Sequence, residues 1–370
     1  MQLQLKSIIT TFADIMEEEL YYDAIDLLKK LIATPSISRD ESAAANIVEN
    51  FLRNICDNVT RVNNNVIAYA PEYDASKPTL LLNSHIDTVK PAAGWTRDPF
   101  SPTVEDDRLY GLGSNDAGAS LVSLIAAFRY LCDMDRSYNL IFAASSEEEV
   151  SGKNGISSVI PTLPHIDVAI VGEPTGMNPA IAEKGLMVLD VEVDGVAGHA
   201  ARNEGVNAIY ESLRVIEGFR NMTFPKTSKT LGPIKLSVTQ IEAGTQHNVV
   251  PALCKMVVDA RTTDAYSNEE TLHIIREQLP GCRITPRSTR LNPSSIDPEH
   301  PLVKRLAFLD RTPFGSPTLS DQALMNWQSL KLGPGDSSRS HTADEYIELK
   351  EIREAIHLYI TLLSNINLKQ

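Results

Sequence analysis

Two histidines and a series of acidic residues occupy the positions of this sequence where chemistry is to be expected. His85 lies in SHIDTV (84–89), directly after the apolar run TLLLN (79–83). A neutral imidazole nitrogen suits zinc, and Asp87 could accept the ring's other N–H and fix its tautomer. On its own, His-x-Asp is more often an ordinary loop pair. In YGLGSNDAGAS (110–120), glycines at 111, 113 and 118 bracket Asp116 just before an apolar helical pattern. A carboxylate there can bridge two cations, although alone it reads as a helix N-cap. SSEEEV (145–150) closes the run NLIFAAS (139–145). Adjacent carboxylates raise one another's pKa, so three in a row after a buried strand are hard to explain by packing. One could bind metal while another serves as general base; a solvated acidic turn explains the bare run equally well. VGEPTG (171–176) sets Glu173 before Pro174 in extended or turn backbone. GPGDSSRSHTADEY (333–346) is a Gly/Ser-rich loop carrying His341, and such loops let backbone approach a ligand closely.

Each signal is modest alone; their order is not. His, Asp, Glu-Glu, Glu and His, each at a strand end or in a loop, make a two-zinc ligand set with one carboxylate left as base. Two metals bridged by a carboxylate and a hydroxide suit hydrolysis of an unreactive amide.

The elements that must position these groups follow from periodicity. DAIDLLKKLIA (23–33), ESAAANIVENFLRNI (41–55) and GASLVSLIAAFRYL (118–131) read as helices. NVIAYA (65–70), TLLLN, NLIFAAS and DVAIV (167–171) are apolar runs of strand length. Their alternation predicts a mixed α/β sheet covered by helices. The pattern changes near residue 185. Strands at 186–194, 234–241, 253–261 and 282–287, with helices at 206–219 and 269–279, give the order β-α-β-β-α-β of a ferredoxin-like unit. The helical pattern then returns and runs through 352–366. The chain is therefore expected to hold a catalytic α/β domain (1–184 and 292–370) interrupted by a smaller lid (185–291).

A net charge of -14 and a pI near 5.1 favour solubility and argue against nucleic acid or an anionic membrane as partner. No apolar run approaches the ~20 residues of a membrane span. The N-terminus lacks a basic region leading into an apolar core, so no signal peptide is expected, and Met16 is an alternative start because residues 1–15 carry no motif. Cys56, Cys132, Cys254 and Cys282 form no C-x-x-C pair and are expected to be reduced thiols of a cytoplasmic protein.

On these motifs the chain resembles the acetylornithine deacetylase / succinyl-diaminopimelate desuccinylase family of two-zinc metallopeptidases, nearest its acetylornithine deacetylase branch, from about Met16 onward. The resemblance implies a zinc-peptidase-like sheet with an inserted lid that also forms a homodimer. It implies that His85, Asp116 and Glu173 hold one zinc and that Asp116, Glu149 and His341 hold the other, with cobalt or manganese as substitutes. Glu148 would be the general base and acid, Asp87 would orient His85, and the Asp116–Ala117 bond would be cis. The family's acidic triplet usually begins with Asp; here it begins with Glu147. The family often has Met-Lys-Gly after the bridging Asp; here it is Ala-Gly-Ala, for which the sequence supplies no reason. In the lid, GVAGHAARNEGVNAI (195–209) aligns His199 with the family's oxyanion-stabilising histidine, often supplied by a second subunit. Asn248 in QHNVVP and Arg261 in VDARTTD also match, and Arg261 could clamp a substrate carboxylate in bidentate fashion. His165, His273, His300 and His357 are expected to be structural, with His247 left open.

The implied activity is hydrolysis of the amide of a small N-acylated amino acid. N-acetylornithine, or N-acetylcitrulline, is favoured, in arginine biosynthesis. A succinylated substrate is weakened because the desuccinylase branch has two arginines where this chain has Glu183-Lys184. A dipeptidase or aminoacylase comes third. A non-catalytic binding protein is disfavoured, since every ligand and the base are present.

Overall fold

TLLLNSH and NLIFAAS each carry an apolar run without alternation, Leu80–Leu82 and Leu140–Ala144, as suits strands covered on both faces. Both form strands buried along their whole length in the computed structural model, which describes residues 2–369 and, within the first helix, side chains from Met16 onward. The expectation that Met16 is an alternative start concerns residues whose side chains lie outside that description.

The chain divides into two compact units. One comprises the chain as far as Ile181, Ile296–Phe314 and the chain from Met325 onward; the other comprises Ala182–Ser295 and Gly315–Leu324. In chain order the main elements are α1 (Gln2–Ile32), α2 (Ser42–Arg53), β1 (Val59–Val62), β2 (Asn65–Tyr69), β3 (Thr79–His85), α3 (Ala119–Cys132), β4 (Asn139–Ser145), β5 (Val168–Val171) and β6 (Ala180–Glu183). They continue as β7 (Gly185–Asp194), α4 (Ala208–Asn221), β8 (Lys235–Ala243), β9 (Leu253–Thr262), α5 (Asn268–Gln278), β10 (Arg283–Pro286), β11 (Gln328–Lys331) and α6 (Leu349–Leu363).

The first unit is built on a mixed sheet whose main path runs β1-β2-β4-β3-β5-β11-β6. Its centre, β4-β3-β5-β11, is parallel; β1 and β2 extend it antiparallel on one side and β6 on the other. Helix α3, buried almost throughout, packs against α1 and α6. Helix α1 begins well before the periodic segment at 23–33. No Gly or Pro interrupts Gln2–Ile32, and Leu20 and Tyr21 extend the buried stripe of Ala24, Ile25, Leu27 and Leu28 upstream.

The second unit orders its strands β8-β9-β7-β10, all antiparallel, in the ferredoxin-like β-α-β-β-α-β connection. Strict alternation of burial along β7 and most of β9 puts one face under α4 and α5, where Met187, Leu189, Val191, Val215, Phe219, Leu272 and Ile275 form a separate core. Asn207 caps α4, and Ser267 with Glu270 forms a capping box on α5.

Candidate active site

Strand register brings the predicted ligands of the first unit together. His85 ends β3 opposite Ser145 of β4, so the acidic triplet starts just beyond its neighbour's end. On the other side Asn83 pairs with Val171 of β5, and Glu173 follows two residues later. These groups thus leave the carboxyl ends of three adjacent parallel strands, where open α/β sheets collect ligands. Asp116 lies in the irregular turn leading into α3, and its bond to Ala117 is cis. His341 comes from the loop after β11 and has a positive φ of 60°.

The two oxygens of Asp116 face different histidines. Oδ1 lies 3.3 Å from His85 Nε2, and Oδ2 lies 3.6 Å from His341 Nε2. Glu173 Oε1 is 3.8 Å and Glu148 Oε2 4.0 Å from His85 Nε2, while Glu149 Oε2 is 2.9 Å from His341 Nε2. Among the described residues, two groups present ligand atoms close enough to share an ion: His85 with Glu148 and Glu173, and His85 with Asp116 and Glu149. Imidazole and carboxylate donors at this spacing fit zinc or a similar divalent cation, and a carboxylate split between two histidines fits a bridge.

The acidic triplet sorts itself. Glu147 turns away and accepts from Asn154 through its backbone N–H (3.2 Å) and Nδ2 (2.9 Å), leaving Glu148 and Glu149 toward the histidines. Asp87 behaves differently from the role implied for it. His85 Nδ1 is hydrogen-bonded to the Asp87 carbonyl at 2.9 Å, while the nearest carboxylate oxygen is 3.6 Å away. The carboxylate accepts instead from the N–H groups of Glu148 (3.0 Å) and Glu149 (3.2 Å) and from Ser38 Oγ (2.7 Å). Asp87 therefore steers the imidazole with its backbone and holds the acidic turn with its side chain.

Converging carboxylates perturb one another. Burial pushes Glu173 up to about 8; the charges of His85 and the buried Lys331 oppose this, and those of Asp116 and Glu149 add to it. Burial opposes the charged form of His85, but the bond to Asp116 and the charges of Glu148, Glu173 and Asp87 outweigh it and hold the ring well above its ordinary value. Asp116 is also pushed up by burial, yet His85 holds it below the usual carboxylate range. Glu149 raises His341 to about 9. A divalent cation would relieve this crowding by replacing the protons.

Sequence reasoning missed Asn115, Glu345, Ser38 and Lys331. Glu345 follows His341 by four residues, but nothing in its local pattern distinguishes it from the neighbouring Asp344. The remaining histidines of the first unit are engaged elsewhere: His300 caps a helix at Leu302, His357 pairs with Glu17 and His165 lies near Asp167.

In the second unit, His199 sits opposite Val249 in a two-residue antiparallel ladder, and Ala200 N–H donates to the Asn248 carbonyl, so these two predicted residues are neighbours. His199 is exposed, and its Nδ1 accepts from Ala201 N–H. Arg261 forms a two-point pair with Asp259, Nε to Oδ1 at 2.9 Å and Nη2 to Oδ2 at 3.1 Å. His273 pairs with Glu277. Glu183, fully buried, accepts from Ser320 Oγ at 2.8 Å.

A mixed sheet that gathers histidines and carboxylates at the ends of parallel strands defines a metal-dependent amidohydrolase. The chain belongs to peptidase family M20/M25/M40, whose family model matches residues 81–365. It is 30% identical over 367 residues to acetylornithine deacetylase of Klebsiella pneumoniae (strain 342), covering 89% of this chain and 94% of that protein. It is 28% identical over 382 residues to the enzyme of the same name from Proteus mirabilis (strain HI4320), covering 92% and 96%. Its fold matches an aminopeptidase from Bacillus cereus (TM-score 0.74, 16% identity, 93% and 98% covered). It also matches a dinuclear metal-binding M20 peptidase from Bacillus subtilis (TM-score 0.68, 14% identity, 94% and 100% covered).

Proposed function

We propose that this enzyme is a zinc-dependent deacetylase acting on N-acetylornithine or the closely related N-acetylcitrulline, in the cytoplasm and in arginine biosynthesis. The observation that carries the two-metal reading is the division of Asp116 between His85 and His341. His85, Asp116 and Glu173 would hold one zinc and Asp116, Glu149 and His341 the other. When bound, the metals supply an acidified water and a polarised acyl carbonyl.

The chain's own groups do the rest. Glu148 takes a proton from the attacking water and delivers it to the leaving amine, so one carboxylate serves as base and then acid. Asp87 keeps that carboxylate in place through the backbone of the turn. His199 donates to the oxygen on which charge develops, from a lid that in the family often belongs to the second subunit. Asn248 and Arg261 bind the substrate, Arg261 gripping the substrate carboxylate with the donors that its pair with Asp259 leaves over.

The acetyl group is favoured because the chain is similar to acetylornithine deacetylases over nearly its full length. The pair Glu183-Lys184 also supports it: where the desuccinylase branch has two arginines, this chain has one cation beside a buried carboxylate bound to Ser320. The deciding experiment offers acetyl- and succinyl-ornithine and -citrulline side by side to the purified enzyme. Faster turnover of the acetyl compounds is expected; preference for a succinyl compound, or activity on dipeptides alone, overturns the assignment.

A homodimer through the lid is part of the same reading. Tyr210 and Leu213 on α4 and Ile241 on the edge strand β8 are large apolar side chains left exposed on the second unit. Light scattering should give twice the chain mass, and Leu213→Glu should shift it toward the monomer. A fully active wild-type monomer would count against the dimer. No helix among the described residues is long and apolar enough to cross a membrane, and the four cysteines are unpaired.

A further inference from the structure

The two histidines of the site are supported very differently. His85 is 1% exposed at the end of a strand paired on both sides. His341 is 55% exposed, belongs to no helix or strand and has a positive φ. Something other than a regular element must fix its distance from Asp116.

The contacts that do this come from two residues with no ligand role. The Asn115 side chain, fully buried, pairs with both backbone groups of Asp336: Nδ2 donates to the carbonyl at 3.1 Å, and Oδ1 accepts from the N–H at 3.1 Å. Its Nδ2 also reaches Ser340 Oγ at 3.3 Å, one residue before His341. At the other end of the same loop, Glu345 accepts from Asn115 N–H (2.8 Å), Asp116 N–H (2.9 Å) and Gly113 N–H (3.1 Å). The Glu345 carbonyl accepts from Gly111 N–H at 3.0 Å. The His341 loop is thus fastened to the Asp116 turn on both sides of the histidine. Gly335 makes the Asn115 contact sterically possible. It has φ +89°, and a Cβ there would fall 2.2 Å from Asn115 Oδ1.

We propose that Asn115 and Glu345 form a latch that sets the spacing between Asp116 and His341, and that Asn115 governs occupancy of the metal position shared by Asp116, Glu149 and His341. Neither residue touches that position; both are positioning residues. The proposal rests on the two-metal reading. Asn115 reaches only the His341 side, so its loss spares the position at His85 and Glu173. Partners of this kind change metal affinity about 10–100-fold when removed.

The test uses the full-length enzyme stripped by chelation and titrated with zinc by calorimetry, then with cobalt followed by its visible absorption. Wild type, Asn115→Ala and Gly335→Ala are compared; the last two attack one contact from opposite sides. Wild type should take two equivalents. Both variants should bind one equivalent as wild type does and the second about 10–100-fold more weakly. Their activity should be low at stoichiometric zinc and should recover as zinc is raised, which a merely misfolded enzyme would not do. Variants that bind both equivalents with wild-type affinity overturn the latch alone. So do variants that lose both equivalents together and are not rescued by metal. A wild-type enzyme that takes a single equivalent overturns the two-metal reading and the latch with it.

Discussion

Glu148 and Glu149 are chain neighbours, yet the proposed mechanism gives them different work. Glu149 Oε2 is 2.9 Å from His341 Nε2, whereas Glu148 Oε2 stands back at 4.0 Å from His85 Nε2. Glu149→Gln exchanges a charged donor for a neutral amide and should weaken one metal. Glu148→Gln keeps the shape of the side chain and the Asp87 grip on its N–H, so both metals should remain while proton transfer is lost. General acid–base catalysis is worth about 10²–10⁴-fold, or roughly 2.7–5.5 kcal/mol of activation free energy, and kcat should fall by at least that factor. KM should change much less, because the proton moves mainly in the transition state. Zinc stoichiometry measured alongside the deacylation rate for both variants decides the matter. A Glu148→Gln enzyme with near-normal turnover refutes the mechanism. If that variant loses a zinc and Glu149→Gln does not, the two roles are exchanged.

Other consequences can be checked directly. Asp87→Asn should lower kcat about 10–100-fold, because an amide cannot accept from both N–H groups of the acidic turn; metal affinity at His85 should persist, since its Nδ1 is bonded to the Asp87 carbonyl. Loss of that metal with the rate unchanged would reverse the argument. Chelation should abolish activity and lower the melting temperature, with zinc restoring both in a concentration-dependent way, as binding to the native state alone requires. A melting temperature indifferent to zinc would mean that the converging carboxylates tolerate one another without a cation. Gly333→Ala would place a Cβ 2.2 Å from Ser120 Oγ and 2.5 Å from the Glu173 carbonyl; about 1–3 kcal/mol of stability should be lost in urea unfolding. A variant as stable as wild type would show that the loop yields at no cost.

The site was legible in the sequence where burial and local order wrote it there. The parallel strands β3, β4 and β5 carry unbroken apolar runs, so His85, the acidic triplet and Glu173 could be found at their ends, whereas β11 (Gln-Ser-Leu-Lys) is too short and polar to be read as a strand. Asp116 stood out through its glycines and His341 through its loop. What the sequence hid depends on distant partners. Asn115 and Glu345 act across more than two hundred residues, and no local period records such a pairing. The split of the triplet turns on Asn154, an ordinary loop residue until its bonds to Glu147 are seen. The early start of α1 was missed because Met16–Leu20 is largely acidic, although nothing in it stops a helix. The grouping of Gly315–Leu324 with the second unit follows from tertiary contacts that its polar sequence does not announce.

Strand β11 lies between β5 and β6, although both precede it by well over a hundred residues. During synthesis the sheet must therefore wait with a gap in its interior. Until residues 328–331 leave the ribosome, β5 keeps one unpaired edge of buried apolar residues, a ready template for wrong pairing. The same late segment leads into the His341 loop. A nascent or truncated chain that ends before it has an open sheet and lacks His341, one of the candidate metal-binding groups. Closure of the sheet and readiness to take up metal are thus tied to one event, and such a fragment should be prone to aggregation and catalytically silent.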